Sequence, residues 1–216
     1  MPPRRLRPSL NTTTLLRGVK ELSVRDGHLG RVVDRFGPPP LWARPPGFAT
    51  LVRIILEQQV TLASGRAAYS RLQEAAGRVT PGRVARVSEA RLRKFGLTRQ
   101  KASYCRHLAT CLVDRTLSLD HLRQLDDHAA RSRLIQVPGI GPWTADVYLL
   151  MALRRPDIWP DGDLALAKSA QQVKRLRSLP SQEKLRRLAG AWVPWRAVAA
   201  RILWHSYLSS RRRVMR

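Results

Sequence analysis

The sequence predicts an all-α protein, and three observations carry that expectation. Stretch after stretch places apolar residues at the i, i+3, i+4, i+7 spacing of one helix face. No stretch alternates with period two as a half-buried strand would, and no internal repeat is present. The breaks between periodic stretches are short and hold helix-start and helix-stop residues, so the helices should form one compact body.

Taken in order, residues 1–20 are rich in Pro, Arg and Thr and are expected to lie loosely on the surface as a flexible basic N-terminus. A first amphipathic helix over 24–36 stops at Gly37-Pro38-Pro39-Pro40, a run that no helix continues. Residues 48–58 put Leu51, Ile54 and Ile55 on one face, with a continuation near Gln58. The next helix runs over about 61–76 and closes at Gly77. Thr80-Pro81 and Ser88 open two short helices, because a hydroxyl at the cap takes an orphan N–H and Pro suits the first helical position. Ala102, Cys105, Leu108, Ala109 and Leu112 repeat the 3.6-residue pattern across 98–114. Further helices are expected at 119–125, 127–136, 142–153, 164–173, 181–192 and 194–209.

These elements imply one domain over 21–210 with two lobes: a central helical lobe over about 50–125, and a second lobe of flanking helices. A groove between such lobes is a natural ligand site. Arg211-Arg212-Arg213 to Arg216 reads as a basic tail over 211–216.

Charge sets the partner class. The chain has 216 residues with 40 Lys+Arg against 15 Asp+Glu, a net charge of +25. The segments 1–50, 51–125 and 126–216 carry +6, +9 and +10, so the folded body itself is basic. All but 6 of the basic residues are Arg, whose planar fork fits phosphate oxygens. Self-repulsion of this size is relieved by a polyanion, which makes nucleic acid the leading partner ahead of an anionic membrane.

Other classes are set aside. No apolar run approaches a membrane span, and no signal-peptide core is present, so the expected location is the cytoplasm, at the nucleoid if the source is bacterial. Cys105 and Cys111, six positions apart on one helix, fit neither a zinc pair nor a disulfide framework. The five His show no metal-site spacing.

The most informative string is Leu134-Ile135-Gln136-Val137-Pro138-Gly139-Ile140-Gly141-Pro142-Trp143-Thr144-Ala145-Asp146. A helix runs into Pro-Gly-Ile-Gly and restarts at Pro142. The restarting helix aims free N–H groups outward, which makes an anion site. An ordinary αα-hairpin with a glycine turn is the plain alternative. About 20 residues on comes Trp159-Pro160-Asp161-Gly162-Asp163-Leu164-Ala165-Leu166, where Asp163 reads either as a functional carboxylate or as the cap of the following helix, and the two are compatible.

Together these strings resemble the helix-hairpin-helix DNA glycosylases, and the Gly-Asp-Leu loop is most similar to the 3-methyladenine DNA glycosylase II branch. The resemblance covers roughly residues 20–210. It implies that Gly139, Gly141 and Thr144 grip DNA phosphate without reading sequence. It implies that the carbonyls of Ile135, Val137 and Gly139 hold a structural Na+ or K+. Asp163 corresponds to the family's essential carboxylate, with Asp161 and Asp146 as competing acids. Leu56-Glu57-Gln58-Gln59-Val60-Thr61 is similar to the wedge segment, with Gln59 as wedge and Gln58 as its supporting neighbour; a polar helix end is the alternative. Trp143 and Trp204 are aromatic candidates for stacking on an extruded base, and core packing is the alternative for Trp204. Val147 and Leu164 stand where some relatives place Tyr. Arg53, Arg66, Lys101 and Arg196 are assigned to the DNA face or to the solvated outside.

Trp143 stands where bifunctional relatives carry a Schiff-base Lys, and no Cys follows Cys111 to build the iron–sulfur cluster of another branch. The implied activity is a monofunctional glycosylase, likewise without a required cofactor, that flips alkylated purines out of double-stranded DNA and hydrolyses the glycosidic bond in base excision repair. It is expected to be a monomer. Two alternatives stand beside it: a non-catalytic helix-hairpin-helix protein binding damaged or distorted DNA, and a glycosylase for deaminated or oxidised bases.

Overall fold

The computed structural model describes residues 9–214, with side chains through Arg211, and among these residues it holds thirteen α-helices and no strand. The all-α expectation therefore holds. Residues 1–8, 215 and 216, part of the expected N-terminus and tail, lie outside the described residues. By backbone contacts the chain divides into two units, residues 44–148 and residues 9–43 with 149–214.

The first unit holds α3 (Phe48–Glu57), α4 (Leu62–Ala76), α5 (Pro81–Arg86), α6 (Glu89–Lys94), α7 (Arg99–Val113), α8 (Leu119–Leu122), α9 (Asp127–Ile135) and most of α10 (Pro142–Met151). Leu51, Ile54 and Ile55 of α3 are fully buried against α4 and α7, with Leu72, Leu92, Cys105 and Leu108 completing the core. Side-chain oxygens of Thr61, Ser88, Thr98, Ser118 and Asp126 each accept a first-turn N–H, worth about 1 kcal/mol apiece. These caps explain why short helices of four to six residues form at all.

The second unit holds α1 (Thr12–Arg25), α2 (Gly27–Phe36), α11 (Leu164–Val173), α12 (Gln182–Gly190) and α13 (Arg196–Val214). α13 is its axis. Ala197, Val198, Ala199, Ala200, Ile202 and Leu203 are all fully buried, because α1, α2, α11 and α12 surround it.

Three expectations are corrected here. Residues 12–20 are not loose; they form the greater part of α1. Asn11 Oδ1 accepts the Thr14 N–H at 2.8 Å while the Thr14 hydroxyl takes the Asn11 N–H at 2.8 Å, a reciprocal cap. Leu15, Val19 and Leu22 then bury one stripe of that helix. The helix expected over 24–36 is also divided, because Asp26 ends α1 and caps α2, taking the His28 and Leu29 N–H groups. At the other end, α13 continues to Val214, so the tail expected from residue 211 begins as helix.

Candidate active site

In the first unit the turn between α9 and α10 is built by Val137-Pro138-Gly139-Ile140-Gly141. The Ile140 N–H closes onto the Val137 carbonyl at 3.0 Å. Gly139 sits at φ +91°, and a Cβ there would lie 2.3 Å from the Tyr104 ring carbon Cγ. The residue is glycine for two reasons, backbone angle and the close approach of α7. Gly141 is different: it is exposed, its φ is not positive, and a Cβ would meet nothing within 4 Å. The protein's own packing does not require glycine there. Without a Cβ the approach to the first N–H groups of α10 is open, and a helix N-terminus of that kind favours an anion.

The Thr144 side chain is turned inward. It is 1% exposed, and its hydroxyl accepts from Gln58 Nε2 at 2.7 Å. The same amide donates to the Gly139 carbonyl at 2.9 Å. Gln58 therefore points into the hairpin and ties the end of α3 to it. Beside the expected wedge Gln59, Gln58 is thus bound as a brace. Gln59, next along, is exposed with φ +55°, at the tip of the turn between α3 and α4. Val60 beside it is 45% exposed.

Two further groups fix this turn. Lys101 Nζ donates to the Leu56 carbonyl at 2.7 Å, satisfying an orphan acceptor at the α3 C-terminus, and burial holds its pKa below the ordinary value. Arg44 grips both carboxylate oxygens of Glu57, at 3.0 and 3.2 Å. Lys101 was expected on the DNA face or outside; the structure makes it a helix anchor. Arg53 lies over the Tyr69 ring at 4.1 Å, and Arg66 is exposed on α4. Two of the implied cation ligands keep acceptor capacity. The Val137 and Gly139 carbonyls each accept one hydrogen bond named above, and a carbonyl oxygen has two lone pairs. Ile135 is 37% exposed.

In the second unit Asp163 is the N-cap of α11. Its Oδ1 accepts the Leu166 N–H at 2.8 Å and the Trp204 indole N–H at 3.2 Å, and the side chain is only half-buried. These two donors hold one carboxylate oxygen in place at the head of α11. The cap reading of Asp163 holds, and its other carboxylate oxygen is not used by that cap. Trp204 is 9% exposed and uses its edge on Asp163, so the ring orients the carboxylate and offers little face for stacking. That corrects its assignment to the base pocket.

The competing acids are held in ion pairs. Asp146, 2% exposed, is gripped by Arg131 at 2.7 and 3.2 Å, and Asp161 pairs with Arg186 at 3.0 Å. Arg196, expected on the DNA face or outside, pairs with Asp157 at 2.9 and 3.1 Å. Trp143 is half-buried in the first turn of α10. Leu164, beside the carboxylate, is 57% exposed and Val147 is 3% exposed. Tyr104 and Arg44, and the anchoring role of Lys101, escaped the sequence reading, because nothing in a helix's own periodicity says which neighbouring carbonyl or glycine it meets.

No described helix is long and apolar enough to cross a membrane, and no group of three or more His, Cys, Asp or Glu among the described residues is arranged to hold a metal ion. The family model described as HhH-GPD superfamily base excision DNA repair protein matches residues 52–195. A putative DNA-3-methyladenine glycosylase of Bacillus subtilis is 24% identical over 89% of this chain and 74% of its own length. A probable bifunctional transcriptional activator/DNA repair enzyme of Mycobacterium tuberculosis is 30% identical over 71% of this chain, which spans only 32% of that relative. Among solved structures, a DNA-3-methyladenine glycosidase of Bacillus halodurans superposes with a TM-score of 0.76 at 26% identity, covering 90% of this chain and 91% of that one.

Proposed function

We propose a reaction from one premise: the chain belongs to the HhH-GPD superfamily of base excision DNA repair proteins, whose model matches most of its length. The reaction is hydrolysis of the N-glycosidic bond of an alkylated purine, of the 3-methyladenine type, in double-stranded DNA. The observation that carries it is Asp163, held by the Leu166 N–H and the Trp204 indole at the head of α11. Relatives that resemble the chain over most of its length are named for this substrate class.

The steps follow from the residues. The exposed N-terminus of α10 takes a phosphate through backbone N–H groups, with Gly141 leaving room. The exposed turn at Gln59 enters the space left when a nucleotide swings out of the stack. As the bond from C1′ to the base nitrogen lengthens, its electron pair leaves with the base and positive charge builds on the sugar. The Asp163 carboxylate stabilises that charge and accepts a proton from the water whose oxygen bonds to C1′. A base alkylated on a ring nitrogen is already cationic and leaves neutral, so no second carboxylate is needed as acid. The product is an abasic site with no lyase step, since Trp143 has no amine to form a Schiff base.

A monovalent cation on the carbonyls of Ile135, Val137 and Gly139 would add positive charge beside the phosphate. No chemical step depends on it. A chromosomal substrate supports a cytoplasmic location, at the nucleoid if the source is bacterial.

The test is the wild-type protein on oligonucleotides with one methylated, deaminated or oxidised base each, the released product being read by mass. Free 3-methyladenine or 7-methylguanine with no borohydride-trapped adduct is the expected result. Tight binding to lesions with no released base would make it a damage-binding protein instead.

A further inference from the structure

A groove of about 470 Å³ opens in the second unit beside α12. Its volume is that of clefts that hold ligands, about 300–1,000 Å³. Lys184, Arg187, Leu188 and Ala191 line one wall at the i, i+3, i+4, i+7 spacing, so they share one stripe of α12 and its cap. Leu185 and Ala189, on another side of the same helix, are buried in the core. Trp192, Asp26 and Lys174 complete the lining. α12 therefore packs with one face and turns a second, partly apolar face to the groove.

The charges in the lining do not cancel. Its one carboxylate, Asp26, is already engaged, accepting from Lys174 Nζ at 3.0 and 2.8 Å and from the Trp192 indole at 2.8 Å. Asp26 thus neutralises Lys174 and leaves Lys184 and Arg187. Lys184 forms no ion pair among the described residues. Arg187 meets Glu183 only at 3.8 Å with both side chains about three-quarters exposed, an arrangement of little strength. Past Ala191, Arg25 donates to the Val193 carbonyl at 2.7 Å, adding another cation, and the Val193 side chain continues the apolar surface at 43% exposure. The result is a concave, partly apolar surface with a positive rim.

This groove is separate from the carboxylate site. Asp163 caps the first residue of α11 and Lys174 the last, about 15 Å apart along the helix. Duplex DNA matches the groove poorly, because its phosphates lie on a convex rod and gain nothing from Leu188 and Ala191. A second copy of a chain with net charge +25 is repelled, as are this chain's own basic stretches Arg4-Arg5 and Arg211-Arg212-Arg213.

We propose that the groove docks an acidic peptide segment of a partner protein, with an apolar side chain seated against Leu188 and Ala191 and carboxylates on Lys184 and Arg187. Charge complementarity selects the acidic segment, and the apolar lining separates it from a plain polyanion. Docking at this end of α11 leaves the Asp163 end free.

The test is fluorescence anisotropy with a short labelled peptide of alternating Asp and Phe, beside the same peptide with Ser in place of Phe. The protein variants are Lys184→Gln/Arg187→Gln, the charge-preserving Ala191→Phe, which fills the groove, and a control with the same loss of charge on α5, Arg83→Gln/Arg86→Gln. Each groove variant should bind the Asp-Phe peptide about tenfold or more weakly, as should wild type the Asp-Ser peptide, while the α5 control stays near wild type. Affinity for undamaged duplex should fall no further in Lys184→Gln/Arg187→Gln than in the control. Equal affinity of wild type for the two peptides, or equal losses in the groove and control variants, reduces the effect to net charge and overturns the proposal. A selective loss of duplex binding in Lys184→Gln/Arg187→Gln makes the groove a DNA surface and overturns it too. Asp163→Asn should bind the peptide like wild type, so failure here and failure of the glycosylase reading are distinguishable.

Discussion

Gly139 and Gly141 stand two residues apart in one turn and do different work. A Cβ at Gly139 would strike the Tyr104 ring at 2.3 Å on a backbone at φ +91°, so Gly139→Ala should destabilise the protein by about 2–3 kcal/mol in denaturant melts. Gly141→Ala meets nothing and should melt within about 0.5 kcal/mol of wild type, yet bind duplex DNA several-fold more weakly. Equal melting of the two variants would contradict the inward and outward roles. The sequence marked both glycines but could not separate them, because the distinction lies in Tyr104, far away along the chain. Asp163 was legible as a cap and as a carboxylate. That Trp204 serves it by an indole N–H was not, since a buried tryptophan reads as packing until its edge is seen.

Among the elements, the turn after α3 couples to the hairpin through Gln58. Gln58→Ala should leave the Gly139 carbonyl and the Thr144 hydroxyl without this donor and cost about 1–2 kcal/mol of stability. It should weaken binding to undamaged and abasic-site duplex alike, whereas Gln59→Ala should weaken abasic-site binding more. Fluorescence titrations on the two duplexes separate these outcomes, and identical ratios for both variants would remove the division of labour.

Asp26 links α1, α2, α11 and Trp192, which packs before α13. Burial alone raises its pKa, but the Lys174 ammonium at 2.8 Å and the Trp192 indole at 2.8 Å outweigh that and hold the carboxyl below its ordinary value. A depressed folded pKa means stability that is present above the unfolded value and lost as pH falls through the folded one. Melting temperature should therefore fall on acidification below about pH 4, and Asp26→Asn should flatten that part of the profile. Most helices were legible from caps and period. α1 was missed because its Pro- and Arg-rich approach masked the Asn11 cap, and because Asp26 works for two helices at once.

At the scale of the whole molecule, the net charge of +25 identified a polyanion as partner but not how it is held. Several basic side chains turn out to be structural, among them Arg44, Lys101, Arg131, Lys174, Arg196 and Arg201. The remaining excess supplies a long-range field that draws duplex in, and the grip itself is assigned to backbone N–H groups at one hairpin. Within that positive field, the chemistry is assigned to a single carboxylate. Its direct test compares wild type with Asp163→Asn on one methylated duplex, with free base measured by mass and duplex binding measured in parallel. The variant should retain binding and lose release by on the order of 10²–10³-fold or more. Release at the wild-type rate by Asp163→Asn would contradict the account.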